Sequence, residues 1–366
     1  MAERRGLIPE RLAIGIDIGG TKIAAGVIDE DGNVIDRARR QTPGTDRALV
    51  LDALTEVTDE LHDKHPTVRA VGIGAAGFVD ATQSTVVFAP HLAWRHEPLR
   101  DAVSRRVGLP VLVDNDANCA GWAEYRFGAA QNQTDVVIIT LGTGIGGAIV
   151  LDGQPYRGQY GIAGEFGHMQ VVPDGRECPC GQSGCWEQYA SGRVLTRRAR
   201  EAAEAGTDLG RRLLDQAGGL DEVTGALVTD AAVAGDEECR GWITEVGHWL
   251  GTGIANLAAA LDPGLFVIGG GASDAGELLL GPARAAFGQR LTGRGFRQEA
   301  LIVRAHLGPD AGMIGAADMA RIAARRRRPR QPGARATARS RQTAGLRTPT
   351  RRTSTRRSTN RRGRAT

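Results

Sequence analysis

Apolar and polar positions change period along this chain, and the changes divide it into strands and helices. Residues 12–41 contain three short apolar runs, broken first by Gly19-Gly20 and then by Asp31-Gly32, as three strands joined by tight turns would be. Over 47–64 the spacing becomes helical, with Leu49, Leu51, Leu54, Val57 and Leu61 expected on one face. Residues 70–76 form an unbroken apolar run of the kind that is buried on both faces of a sheet. A helix over 98–107 and a short strand over 111–113 complete the first half.

The second half opens with an apolar strand over 136–141 and repeats the opening pattern. IDIGGTKIAAGVIDEDG from Ile16 and ITLGTGIGGAIVLDG from Ile139 each read strand, Gly/Thr turn, strand, Asp-Gly turn. Two glycine-turn hairpins can look alike by chance. The other reading is a duplicated α/β domain with a phosphate-handling hairpin in each copy, the two facing one another across a cleft. Helices are expected over 191–205, 236–261 and 275–291, a buried strand over 265–268, and a closing helix over 309–324. The domain boundaries that follow are 11–120, completed by the closing helix, then 121–308, then a tail over 325–366.

Charge changes how the tail is read. The whole chain carries a net +4, but residues 325–366 hold 16 arginines and no acidic residue. The preceding 324 residues therefore have 30 basic against 42 acidic side chains, a net −12. An acidic body with a basic extension is expected, not a basic protein. The extension has no hydrophobic period and is rich in Arg, Thr, Ser, Pro and Gly, so disorder is expected there. No run of 18 apolar residues occurs and the first residues lack an apolar leader, which points to a cytoplasmic location. Three of the five cysteines fall within eight residues, a spacing that in a reducing compartment suggests metal before disulfides.

Four segments carry chemistry. Triphosphates need backbone N–H groups that approach closely, and glycine permits this. Asp17-Ile-Gly19-Gly20-Thr21-Lys22 and Leu141-Gly142-Thr143-Gly144-Ile-Gly-Gly147 are the candidates, with Asp17 placed to meet magnesium directly or through water. Gly269-Gly270-Gly271 either brings the backbone close to an adenosine or makes a tight strand-to-helix turn. Asp114-Asn115-Asp116-Ala117-Asn118 ends a short strand, where ligands of open α/β sheets bind; Asp116 is there either a substrate contact or the N-cap of a helix running to Phe127. His168 with Cys178, Cys180 and Cys185 makes a complete tetrahedral set for a structural zinc ion. Glu165 and Glu187 flank that loop and would be held in place by it. Cys119 and Cys239 stand alone and read as small apolar residues.

Taken together, DIGGTK, the ND-x-N element, LGTGIGG, GEFGH, C-x-C-x4-C-x-E and LFVIGGG occur in the order found in ROK-family sugar kinases, and residues 11–321 resemble that family. Within it the chain is most similar to the ATP-dependent glucokinases of actinobacteria. The resemblance implies duplicated actin-like and hexokinase-like (ribonuclease H-like) α/β domains around a cleft. It implies ATP with Mg2+ as donor and glucose as acceptor, with Asp116 as the general base. It places Asn115, Glu165, His168, Glu187 and the Gly77 turn on the sugar, with the two hairpins, Gly270 and Gly271 on the nucleotide. His168 would use one ring nitrogen for zinc and the other for the sugar. A homodimer or homotetramer is also implied.

Kinases for mannose, fructose or N-acetylated amino sugars share these motifs. ROK-type repressors carry an N-terminal helix-turn-helix, whereas about ten residues precede the first strand here. The Arg-rich tail lies outside the family pattern; it is either a functionless extension or a binder of polyanions, including polyphosphate as an alternative donor.

Overall fold

The computed structural model describes residues 12–327, apart from 45, 90, 91 and 93 and the side chain of residue 327. The expected disorder of the tail falls outside the described residues beyond 327. The helix before it continues three residues past the expected boundary at Ala324.

The first half runs β1 (Ala13–Ile18), β2 (Lys22–Ile28), β3 (Val34–Gln41), α1 (Arg47–Lys64) and β4 (Val71–Ala75). A small antiparallel sheet of β5 (Phe78–Val79), β6 (Val86–Ala89) and β7 (Trp94–Glu97) precedes α2 (Leu99–Val107), β8 (Val111–Asn115) and α3 (Asp116–Phe127). The second half runs β9 (Val136–Leu141), β10 (Ile145–Leu151), β11 (Gln154–Pro155), α4 (Glu187–Ala190), α5 (Gly192–Glu204), α6 (Asp208–Ala217), α7 (Gly225–Val233) and α8 (Glu237–Leu261). It ends with β12 (Leu265–Gly269), α9 (Glu277–Arg290), β13 (Leu301–Arg304) and α10 (Ala311–Arg327).

The repeat seen in the sequence is a repeat in topology. One five-stranded sheet has the order β3-β2-β1-β4-β8 and the other β11-β10-β9-β12-β13. In each, the first three strands are antiparallel and the last two run parallel to the first. The glycine turn of each hairpin therefore emerges at the same end of its sheet as the following parallel strands, where open α/β sheets collect their ligands. Separate apolar cores back the two sheets, one around Ile14, Ile16, Ile73 and Leu54, the other around Val137, Ile139, Phe266 and Leu250.

Helix α1 forms where expected but is rotated from the expected face. Leu49 is 51% exposed, and Val50 is buried with Leu51, Leu54, Val57 and Leu61. Asp46 caps the helix, accepting from the amides of Ala48 and Leu49, so Leu49 sits in the first turn and points away from the sheet. The small β5–β7 sheet gives no comparable signal, since its strands are two to four residues long; the helices α6 and α7 were not anticipated, although α6 is amphipathic, with Leu209 and Leu213 buried.

The closing helix α10 packs on β1, β4 and β2 of the first sheet and on α3. It lies at backbone contact: a Cβ on Gly15 would come 1.8 Å from the Met313 carbonyl oxygen, and one on Gly72 1.8 Å from that of Ala316. From the helix side, a Cβ on Gly315 would meet the Cys119 carbonyl at 1.8 Å. Asp318, 1% exposed, ties the helix to α3 by accepting from Trp122 Nε1 at 2.8 Å and pairing with Arg126 at 3.1 Å, and within α10 it also pairs with Arg321. Overlap with backbone cannot be relieved by a rotamer change, so Gly72→Ala should cost about 3 kcal/mol or more of stability. Urea unfolding of the variant against the parent chain measures it.

Candidate active site

Strands β1 and β8 flank β4, so Asp17 and the end of β8 come to the same edge of the first sheet. The motif after β8 then sorts its residues by hydrogen bonding. Asn115, not Asp116, caps α3: its side-chain oxygen accepts from the Asn118 amide at 3.0 Å, and Asp116 is the first helical residue. The expected alternative of Asp116 as the cap is therefore incorrect, because the strand continues two residues beyond its apolar run and ends on Asn115. Asn115 Nδ2 donates to the Gly77 carbonyl at 3.1 Å and to Asp116 Oδ1 at 2.9 Å, which leaves one lone pair of its own oxygen for a ligand.

Asp114 and Asp116 have opposite surroundings. Asp114 is 1% exposed and saturated, accepting from Gln83, Arg157, Asn118 and the Asn115 amide. Asp116 has no cation partner among the described residues, and burial pushes its carboxyl up, opposed by the Ala117 amide, its own amide and Asn115. A carboxylate that is raised, held and unpaired is suited to accept a proton from a bound hydroxyl.

Other acids crowd around it. Asp17 is pushed up to about 7, first by burial and then by the charge of Asp116, with Lys22 pulling the other way. Glu165 is pushed up to about 7 by burial, by Asp116 and by Glu187. These mutual effects place Asp17, Asp116, Glu165 and Glu187 in one cluster. Glu187 also reaches the second hairpin: its Oε2 accepts from the Ile145 amide at 3.4 Å, and a Cβ on Gly144 would come within 2.5 Å of it.

Both hairpin turns are open to solvent. Gly20, Thr21, Lys22, Gly142 and Thr143 are exposed, and Gly19 is half-buried with its amide on the Lys22 carbonyl at 2.9 Å. Gly270 has φ 81° and packs on the backbone of Leu141, which joins the end of β12 to the second hairpin. Gly142 and Gly271 differ from most glycines of the fold, since a Cβ at either would meet nothing within 4 Å. Packing does not demand glycine there, whereas the close approach of a phosphate or ribose would. This cradle fits the expected nucleotide.

The ligand atoms of His168, Cys178, Cys180 and Cys185 all lie within 4.8 Å of one another. Cys180 and Cys185 sulfurs are 3.6 Å apart, and Cys178 Sγ lies 3.7 Å from His168 Nδ1. A tetrahedral zinc site with bonds of about 2.3 Å to sulfur spaces its ligands by roughly 3.6–3.8 Å, so the four residues fit the ion as a closed set. Nδ1 is the ring nitrogen on the cysteine side, which leaves Nε2 free for a second partner. Cys178 Sγ is also 3.3 Å from Glu187 Oε1, so the metal loop and the acidic cluster are in contact. Gly77 packs against β6, where a Cβ would meet the Phe88 carbonyl at 2.4 Å. Gln83 and Arg157, which complete the shell around Asp114, carry no motif and were not anticipated. Cys119 and Cys239 are buried, as small apolar residues are.

A model of the ROK family matches residues 13–323. The chain is 48% identical over 311 residues to a glucokinase of Streptomyces coelicolor, covering 85% of this chain and 98% of that protein. It is 36% identical to a glucokinase of Halalkalibacterium halodurans, covering 84% and 94%. Among solved structures it is similar to a ROK family glucokinase from Streptomyces griseus in complex with glucose and AMPPNP, with 49% identity, a TM-score of 0.78 and coverage of 85% and 99%. No helix among the described residues is long and apolar enough to cross a membrane.

Two measurements check this site. In the unliganded protein, Asp17 and Glu165 bind protons more tightly folded than unfolded, so their contribution is present below about pH 4 and lost as pH rises through 7. Asp17→Asn should flatten that decline, gaining about 2 kcal/mol on the parent between pH 5 and 8 once the partial exposure of Asp17 is allowed for; denaturant titrations at the two pH values measure it. Cys180→Ser should lower zinc content, read by elemental analysis, and weaken glucose binding, read by calorimetry.

Proposed function

This chain belongs to the ROK family, and we propose that it is a glucokinase that moves the γ-phosphoryl group of ATP onto the 6-hydroxyl of glucose and releases ADP. The observation that carries this reading is an unpaired, raised Asp116 between a sugar-side set of Glu165, His168 and Glu187 and two open glycine hairpins. It is supported by the near-full-length similarity to a glucokinase solved with glucose and a non-hydrolysable ATP analogue.

Asp116 accepts the proton of the attacking hydroxyl. Asn115 restrains that carboxyl through Nδ2 and offers the spare lone pair of its oxygen to a neighbouring hydroxyl. Glu165, Glu187 and Nε2 of His168 bind the remaining hydroxyls, and Gly77, tied to Asn115, shapes the same wall. Gly20, Thr21, Thr143 and Gly144 present amides and hydroxyls to the phosphates, while the amides of Gly19 and Gly142 close the two turns on the Lys22 and Gly144 carbonyls and their missing side chains leave room for the phosphates; Lys22 adds a positive charge, and Gly270 and Gly271 lie beside the nucleoside. When bound, magnesium beside Asp17 offsets phosphate charge, and zinc on His168, Cys178, Cys180 and Cys185 supplies a structural crosslink. Phosphoryl transfer asks mainly for positioning and charge compensation, and this arrangement supplies both.

Asp116→Asn should leave glucose binding within a few-fold of the parent while kcat falls by roughly 10² or more. A coupled ADP-release assay with calorimetry of glucose binding checks it, and retained turnover would move the base elsewhere. Run across glucose, mannose, fructose and N-acetylmannosamine, the same assay should give the highest kcat/KM for glucose.

A further inference from the structure

Asp114 is adjacent in sequence to the catalytic motif yet makes no contact available to a substrate. All of its capacity goes to holding β8 in place. Oδ2 accepts from Gln83 Nε2 at 2.7 Å and from both Nε and Nη2 of Arg157 at 2.7 and 2.6 Å. Oδ1 accepts from the Asn115 amide at 2.8 Å and from Asn118 Nδ2 at 3.0 Å. The guanidinium thus grips one carboxylate oxygen, and the other oxygen fixes the two asparagines on either side of Asp116.

Arg157 comes from the other half of the chain, just after β11 of the second sheet. Its backbone also does something specific: its carbonyl accepts the Ala163 amide at 3.0 Å and closes a loop that delivers Gly164 and Glu165. The tip of that loop sits on the first half, where a Cβ on Gly161 would come 2.3 Å from the Val79 carbonyl. Its exit is pinned on β10, where a Cβ on Gly164, at φ 104°, would meet the Gly147 carbonyl at 2.6 Å. One residue therefore controls two placements, that of Asp116 through Asp114 and that of Glu165 through the loop.

We infer that Arg157 is a positioning residue for the transfer, holding the base on one sheet in register with the sugar-binding carboxylate on the other. This rests on the glucokinase reading above. Lysine cannot substitute, because its single ammonium cannot deliver the paired Nε and Nη2 donors that grip Asp114 Oδ2 from the position of residue 157. A cavity of about 650 Å³ lined by Arg157, Gln83, Tyr125 and Met319 adjoins the guanidinium, with room for a free guanidinium ion to enter if the side chain is removed.

The experiment uses the full chain carrying Arg157→Ala or Arg157→Lys, alone and combined with Asp116→Asn, at a temperature where circular dichroism shows each folded. Arg157→Ala should lower kcat roughly a hundredfold, as a displacement of about 1 Å at the reacting groups does. Glucose affinity should weaken several-fold, and the KM for MgATP should stay within twofold. Millimolar guanidinium chloride should recover tenfold or more in kcat, while sodium chloride at equal ionic strength should not. In the Asp116→Asn background, Arg157→Ala should cost little further kcat, because the base it positions is already gone. Arg157→Lys should show the same pattern, and it serves as the test if the alanine variant does not fold. A kcat within threefold of the parent overturns the inference, as does a loss that adds in full to that of Asp116→Asn without guanidinium rescue. Failure of the glucokinase reading would appear separately, as absent glucose phosphorylation by the unsubstituted chain.

Discussion

Everything around the cleft answers to one electrostatic constraint: four carboxyl groups are gathered where water is partly excluded, and the one cation among the described residues seen to act on them, Lys22, is exposed. Left alone, such a cluster is costly, because burial raises Asp17, Asp116 and Glu165 and neighbouring carboxylates raise Asp17 and Glu165 further. The raised positions of Asp17, Asp116 and Glu165 are the visible sign of that cost. The fold holds these acids together because Asp17 and Asp116 sit at the ends of the two strands that flank β4 in one sheet, and Glu187 is tied to the Ile145 amide and to Cys178. Under the proposed function, hydroxyl donors and a divalent cation would relieve that cost on binding, so the crowding that weakens the free protein would favour the loaded one. Preorganised charge of this kind is where enzymes find most of their rate.

The scaffold that makes such crowding possible is a pair of sheets with the same strand order. Each supplies a glycine turn and parallel strand ends at one edge, so doubling the unit doubles the set of amides without new invention. Helix α10 then seats itself on β1 and β4 so closely that glycine is required on both strands. Because α10 also grips α3 through Asp318, the helix that begins with Asp116 is fixed along its length as well as at its cap.

Much of this was legible in the residue order. Apolar runs located β1, β4, β9 and β12, since strands buried on both faces leave little room for polar residues, and the pairing of the two hairpins announced the duplication. The Cys178, Cys180, Cys185 and His168 set could be read because ligand spacing is a local property. What escaped depends on partners distant in sequence or on a single residue of phase. Leu49 satisfies the helical period but is swung outward by the capping of Asp46. Asn115 took the cap from Asp116 because β8 pairs with β4 for two residues beyond its apolar core. Arg157 reaches Asp114 across 43 positions of chain, and an arginine among Pro, Tyr and Gly gives no hint of that contact.

Glu187 shows why the metal loop matters beyond the sugar. Its two oxygens point to different tasks, Oε1 towards Cys178 and Oε2 towards the Ile145 amide in the second phosphate hairpin, beside a Gly144 with no space for a side chain. The next turn repeats the link, with the Gly192 amide donating to the Gly142 carbonyl at 2.9 Å. A single hydrogen bond of this sort is worth about 1 kcal/mol, too little to hold a glycine-rich turn still. Ligation of a structural zinc ion is worth on the order of ten times as much. With zinc bound as proposed, the loop between His168 and Cys185 would be the stiff element and the hairpin the compliant one, and order at the proposed sugar site would pass to the proposed nucleotide site through Glu187.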